Sequence, residues 1–160
     1  MYCKWNYYDN SVDYELLYNN RESVLRKAFK RFSNKNTLSK FINNNPWVER
    51  YALFMSIKAT QNQRSWIEWP EPLRMRETVA INRITNELKD DILYHVFVQY
   101  LFFNQWSALR QYVNEKGIQI IGDIPIYTAL DSVDVWSNPE LLVYSLYIVY
   151  IFLSTLFEFL

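Results

Sequence analysis

Glycine, cysteine and histidine are nearly missing from this chain: its 160 residues hold 2 Gly, 1 Cys and 1 His. Neither G-x-G-x-x-G nor G-x-x-x-x-G-K-[ST] is present, so the backbone cradles those motifs build around phosphates are excluded. Cys3 stands alone, so no internal disulfide and no thiolate zinc cluster can form, a usage that fits a reducing cytosol. A single histidine, His95, argues against a histidine-based metal site and against a catalytic triad with a remote serine. Within a helix it reads as a satisfied structural side chain rather than a ligand or base. Neither sign of charge dominates, since Lys+Arg and Asp+Glu both number 17. No nucleic-acid partner is therefore expected. Lys4 is followed by polar and aromatic residues rather than by the apolar run of a signal peptide, so a cytoplasmic protein is expected.

What the chain has in quantity is aromatic residues: 6 Trp, 13 Tyr and 10 Phe make up 18% of it. An aromatic ring fills a core, or it stacks on the apolar face of a sugar while its polar tip hydrogen-bonds. Core filling is the default for any one of them. The length is that of one ordinary domain, and an apolar fraction of 50% suffices for a core.

Residues 1–13 read as irregular, with Asn6, Asp9, Asn10 and Ser11 as turn formers. Val24, Leu25, Ala28, Phe29 and Phe32 recur at helical spacing and predict a helix from about Tyr14 to Phe32. Arg21, Arg26, Lys27, Lys30 and Arg31 cover its other side and read as a solvated face. After a break at Ser33–Asn36 a short helix is predicted near Thr37–Ile42. Asn45 and Pro46 suit the N-cap and first turn of another, running to Thr60. Two prolines in Trp69-Pro70-Glu71-Pro72 make residues 61–76 loop-like. Glu68 and Glu71 lie three apart there, but nothing holds them as a catalytic pair. One long helix is predicted from Val79 to Lys116, with Gly117 as its C-cap residue.

Ile118-Gln119-Ile120-Ile121-Gly122-Asp123-Ile124 then reads as a short buried strand ending in an aspartate. A polar, aromatic loop follows, with Tyr127, Asp131, Asp134, Trp136 and Asn138. Parallel barrels build their active sites at that end of a strand. One strand cannot form a sheet, so its neighbours are expected outside this chain. Asn138 and Pro139 look like the start of a final helix over 139–160.

Three segments carry a resemblance. The first is Val12-Asp13-Tyr14 with Leu25-Arg26-Lys27-Ala28-Phe29 and Phe32. The second is Trp69-Pro70-Glu71-Pro72-Leu73-Arg74, with Gln99-Tyr100-Leu101-Phe102-Phe103-Asn104-Gln105-Trp106 downstream. The third runs from Gly117 through Leu141. In order and spacing the chain resembles the amylomaltase family of 4-α-glucanotransferases (disproportionating enzymes, glycoside hydrolase family 77). The resemblance implies a mainly α fragment of a (β/α)₈ TIM barrel. Residues 1–116 are then the helical insertion, 117–141 the barrel strand and substrate-side loop, and 142–160 a hydrophobic tail foreign to the pattern.

The family's reaction transfers α-1,4-glucan segments between maltodextrins through a covalent glycosyl-enzyme. It needs a nucleophilic carboxylate and an acid/base carboxylate about 5 Å apart, and no cofactor or metal. The resemblance assigns both to later strands, so no catalytic residue is expected here and this chain is expected to be inactive by itself. Asp123 is the residue that maps to the family's sugar-contacting shell, where a carboxylate accepts charge-assisted bonds from hydroxyls. Tyr127, Asp134 and Trp136 are the further substrate-binding candidates; they shape the sugar cleft or brace the loop. The expected partner is an α-1,4-glucan or maltodextrin. A non-catalytic glucan-binding module is the alternative.

From Leu141 onward 16 of the last 20 residues are apolar or aromatic. The uncharged run from Leu141 to Phe157 is 17 residues, about 25 Å as a helix at ~1.5 Å per residue, against the ~30 Å of a bilayer core. No Lys or Arg flanks it. It reads as a wrong-frame continuation, with a small membrane-associated protein as the competing reading; no membrane partner is expected.

Overall fold

The computed structural model describes residues 12–122, 128–139, 142–145 and 148–151. The first helix, α1 (Tyr14–Arg31), starts where Asp13 caps it, its Oδ1 accepting the Leu16 N–H at 2.8 Å. Glu15 in the first turn and Lys30 and Arg31 in the last complement the helix dipole. α2 (Lys35–Asn44) and α3 (Trp47–Thr60) follow. The expected Asn45 cap does not form: its Nδ2 donates backward to the Phe41 carbonyl at 3.0 Å, closing α2 rather than opening α3. Pro46 stands at the α3 N-cap instead, already helical in conformation.

The proline-rich stretch is more ordered than a loop. A 3₁₀ turn (Trp66–Glu68) leads into the four-residue helix α4 (Glu71–Arg74). Pro72 lies in its first turn, where the absent N–H has no partner to lose. The single long helix expected over Val79–Lys116 is two: α5 (Thr78–Glu87) and α6 (Lys89–Glu115), separated at Leu88. Gly117 ends α6 as expected, at φ +73°. Its N–H reaches the Asn114 carbonyl at 2.9 Å and the Ile118 N–H reaches Val113 at 3.1 Å, a Schellman closure.

Two apolar clusters explain the break at Leu88. One joins Phe54, Ile57, Trp69, Leu73, Ala80 and Trp136, with Ile84 and Leu88 packed against it. The other joins Leu38, Val48, Ala52, Val96 and Phe97, with Phe29, Phe32 and Ile92 at its border. α3 feeds both, through Val48 and Ala52 near its start and Phe54 and Ile57 further on. A straight α5–α6 helix would serve one cluster only. Turning at Leu88 lets α5 serve the first and α6 the second.

The basic face of α1 is not wholly solvated. Arg26 donates to Asp91 of α6 at 2.6 Å, pairs with Glu22 at 3.4 Å and lies 3.8 Å over the Tyr94 ring. It therefore ties α1 to α6, and the paired carboxylates raise its pKa against the opposing effect of burial.

The strand expected at 118–124 is not formed over its described part. Residues 118–122 are irregular and exposed, Ile121 to 94%. A strand is made by its hydrogen-bonded neighbours, and none lies beside this segment among the described residues. The final helix expected over 139–160 is likewise not formed at 142–145 and 148–151, the parts of the tail that the structure describes as regular elements. β1 (Leu142–Ser145) pairs antiparallel with β2 (Ile148–Ile151), Ser145 opposite Ile148. Val, Ile and Tyr dominate this segment and favour strands over helix. Among the described residues no helix is long and apolar enough to cross a membrane. Among the described residues the fold is thus mainly helical, with one antiparallel pair of strands.

Candidate functional site

The segment Thr128–Pro139 lies against the helical core and is fastened to it by side chains from α3, the 3₁₀ turn and the turn after α4. Trp66 donates its Nε1–H to the Leu130 carbonyl at 2.8 Å, and its backbone N–H to Asp131 Oδ1 at 3.3 Å. Lys58 of α3 closes an ion pair on the other oxygen of Asp131. Ser132 then caps a short helix the sequence reading missed, α7 (Val133–Ser137), its hydroxyl accepting from Val135 N–H at 3.3 Å. Ser132 at the cap and Asp134 in the first turn were the available signals.

α7 drives Trp136 into the first apolar cluster. Its ring centroid is 5.7 Å from Phe54 and 5.6 Å from Trp69, and its Nε1–H reaches the Leu73 carbonyl at 3.1 Å. Arg76 lies 5.0 Å over the same indole and donates to the Ser137 carbonyl. Arg76 adopts φ +55°, uncommon for a residue with a Cβ. That conformation, next to these two contacts, is a local cost held by the surrounding packing.

The candidates therefore separate. Asp123 and Tyr127 lie outside the described residues. Asp134 is exposed on α7. Trp136 is only 2% exposed, so of the two readings, cleft wall or loop brace, its burial supports the brace. Sequence reading missed Trp66, Lys58 and Arg76, because their partners lie more than 60 positions away. Glu68 and Glu71 are both exposed.

His95 is structural in placement but not satisfied. Its Nε2 is buried without a hydrogen-bond partner among the described residues. Burial lowers its pKa, and Arg26 lowers it further, against weaker opposing effects of Asp91 and Glu22. No group of three His, Cys, Asp or Glu side chains among the described residues could hold a metal ion.

This geometry defines a helical scaffold that fixes one short segment by tryptophan, lysine and arginine contacts. A family model described as 4-alpha-glucanotransferase matches residues 3–147. A 4-alpha-glucanotransferase of Aquifex aeolicus (strain VF5) is 45% identical over 129 residues, covering 80% of this chain and 26% of the relative. One of Clostridium butyricum is 43% identical over 145 residues, covering 88% and 30%. Among solved structures, an amylomaltase from Streptococcus agalactiae in complex with acarbose superposes with a TM-score of 0.79 at 40% identity, over 84% of this chain and 28% of that one.

The chain belongs to the 4-alpha-glucanotransferase family. It spans between a quarter and a third of the length of these relatives, at 26% and 30%. The match reaches residue 147, past Leu141 where the motifs stop.

Proposed function

We propose that this chain supplies the helical part and one substrate-side wall of a 4-α-glucanotransferase. That enzyme transfers α-1,4-glucan segments between maltodextrins by a retaining double displacement, in the cytoplasm and without a cofactor. In this reading residues 1–116 are the helical insertion and 117–141 the barrel strand with its loop; of the tail 142–160, only 148–160 lie beyond the family match. Asp123, Tyr127 and Asp134 face the sugar, and Trp136 holds the loop that carries them. The carrying observation is the 45% identity to a 4-alpha-glucanotransferase over 129 residues.

The exposed apolar line of α6 and beyond supports the barrel. Phe102, Trp106, Leu109, Tyr112, Ile118 and Ile121 are all open to solvent, as a face that packs on further strands would be.

These 160 residues by themselves are proposed to be inactive. The double displacement needs two carboxylates about 5 Å apart. The described acidic residues that do have partners, such as Asp91 and Asp131, are engaged in holding helices and loop together.

Two assays test the reading. Purified chain incubated with maltotriose yields no glucose or longer dextrins above a protein-free control; product formation refutes the inactivity. Residues 12–141 exchanged into a complete 4-α-glucanotransferase leave disproportionation intact, and Asp123→Ala in that chimera lowers kcat/KM by about a hundredfold or more. A chimera that folds without activity, or one indifferent to Asp123→Ala, overturns the assignment.

A further inference from the structure

β1 and β2 make a sheet of two strands, each with one neighbour among the described residues. The outer edge of each strand therefore presents backbone N–H and C=O groups without a ladder partner there. Two strands alone are marginal in water, and further strands make such a sheet stable. An edge of this kind calls for another strand.

The sequence states which strand fits. Leu142-Val143-Tyr144-Ser145 and Ile148-Val149-Tyr150-Ile151 are mostly β-branched or aromatic, the residue types that strands favour. Natural edges are kept apart by lysine, proline or a bulge. Residues 141–157 contain no charged residue, no proline and no glycine. The register from Leu142↔Ile151 to Ser145↔Ile148 runs without a bulge. A strand that pairs with its own copy about a two-fold axis meets its own sequence, so any charge on it would face a like charge. An uncharged strand escapes that penalty, which makes this edge complementary to itself. β2 is the better edge of the two, because Ile148, Val149, Tyr150 and Ile151 are all β-branched or aromatic.

We infer that the β1–β2 sheet joins edge to edge with the same sheet of a second copy of this chain, β2 antiparallel to β2, in one four-stranded sheet. A seam four residues long buries less than the ~1,200 Å² of a standard interface, so each pairing is weak. β1 stays open on both sides of that sheet, so pairing continues to larger assemblies as concentration rises. The inference does not depend on the proposed enzyme function, because it uses neither the sugar-facing residues nor the exposed face of α6.

The test is sedimentation velocity of the full purified chain from about 1 µM to about 1 mM. The mean mass should rise with concentration, together with the infrared band of intermolecular β-sheet, while the helical circular dichroism stays constant. Val149→Lys should weaken association about three- to tenfold by bringing like charges to the seam, and Val149→Glu should do the same. Mixing the two variants should restore association, which a mere loss of the strand pair cannot do. Leu109→Ser, on the exposed face of α6, should leave association unchanged. A chain that is monomeric throughout the range overturns the inference, as does one that stays monomeric and floats with phosphatidylcholine vesicles. Association that ignores both Val149 variants, is not restored by mixing them, or is abolished by Leu109→Ser overturns it as well.

Discussion

Replacing Trp136 tests whether the Thr128–Pro139 segment is an integral part of the helical fold. The indole contacts Phe54 and Trp69, lies under Arg76, and donates one hydrogen bond to Leu73. Trp136→Ala empties that volume at a cost of about 3–5 kcal/mol. The lost hydrogen bond adds only about 1 kcal/mol, because the Leu73 carbonyl keeps the Arg76 backbone N–H at 3.3 Å. The cavity term therefore dominates. Trp136→Phe keeps most of the packing and loses the bond, so about 1–2 kcal/mol is expected. Urea unfolding followed by far-ultraviolet circular dichroism reads both. With a slope of ~2 kcal/mol per molar, Trp136→Ala should lower the midpoint by about 2–3 M and Trp136→Phe by about 0.5–1 M. Midpoints within 0.2 M of the parent for both variants would mean that α7 is not anchored where the structure puts it.

The Lys58–Asp131 pair is partly buried, with side chains 16% and 34% exposed, and Asp131 also accepts the Trp66 N–H. Asp131→Asn should cost about 1–2 kcal/mol, more at low salt than at high salt, in the same unfolding assay. A loss that does not shrink with added salt would remove the charge pair as its cause. The pKa of His95 is lowered in the folded state, chiefly by burial, so its contribution to stability is complete above the unfolded value near pH 6.5 and is lost as pH falls. His95→Phe, which also removes the unpaired Nε2, should flatten the stability–pH curve below about pH 6.5. An unchanged slope across that window would show that the titrating group lies elsewhere.

How far the sequence could be read depended on whether the cause was local. α1, α2 and α3 are set by apolar spacing within the segment, with a side-chain cap at α1, and Gly117 by its own freedom at positive φ. The break at Leu88 has no glycine or proline behind it; it arises because α5 and α6 serve different clusters. Asn45 had a suitable side chain and spent it on Phe41 instead. Residues 118–122 had the composition of a strand, but a strand is a property of pairs. Trp136 was legible as a cleft wall or a loop brace, but its pocket was not, since that is built from Phe54, Trp69 and Leu73, far away in the chain. The anchors Lys58, Trp66 and Arg76 carried no local signal for the same reason.

The length of α6 has a consequence of its own. Its 27 residues make a rod about 40 Å long, yet its buried residues are Tyr94, Val96 and Phe97. From Asn104 to Glu115 every residue except Val113 is exposed. A helix of that length is marginal in water when nothing packs on it. The rod therefore has two opening energies: the inner half exchanges its amides with global unfolding, and the outer half frays as a separate, weaker unit. Gly117 sits at the end of that outer half, so the direction in which the chain leaves toward Gly122 swings with the fraying of those last turns.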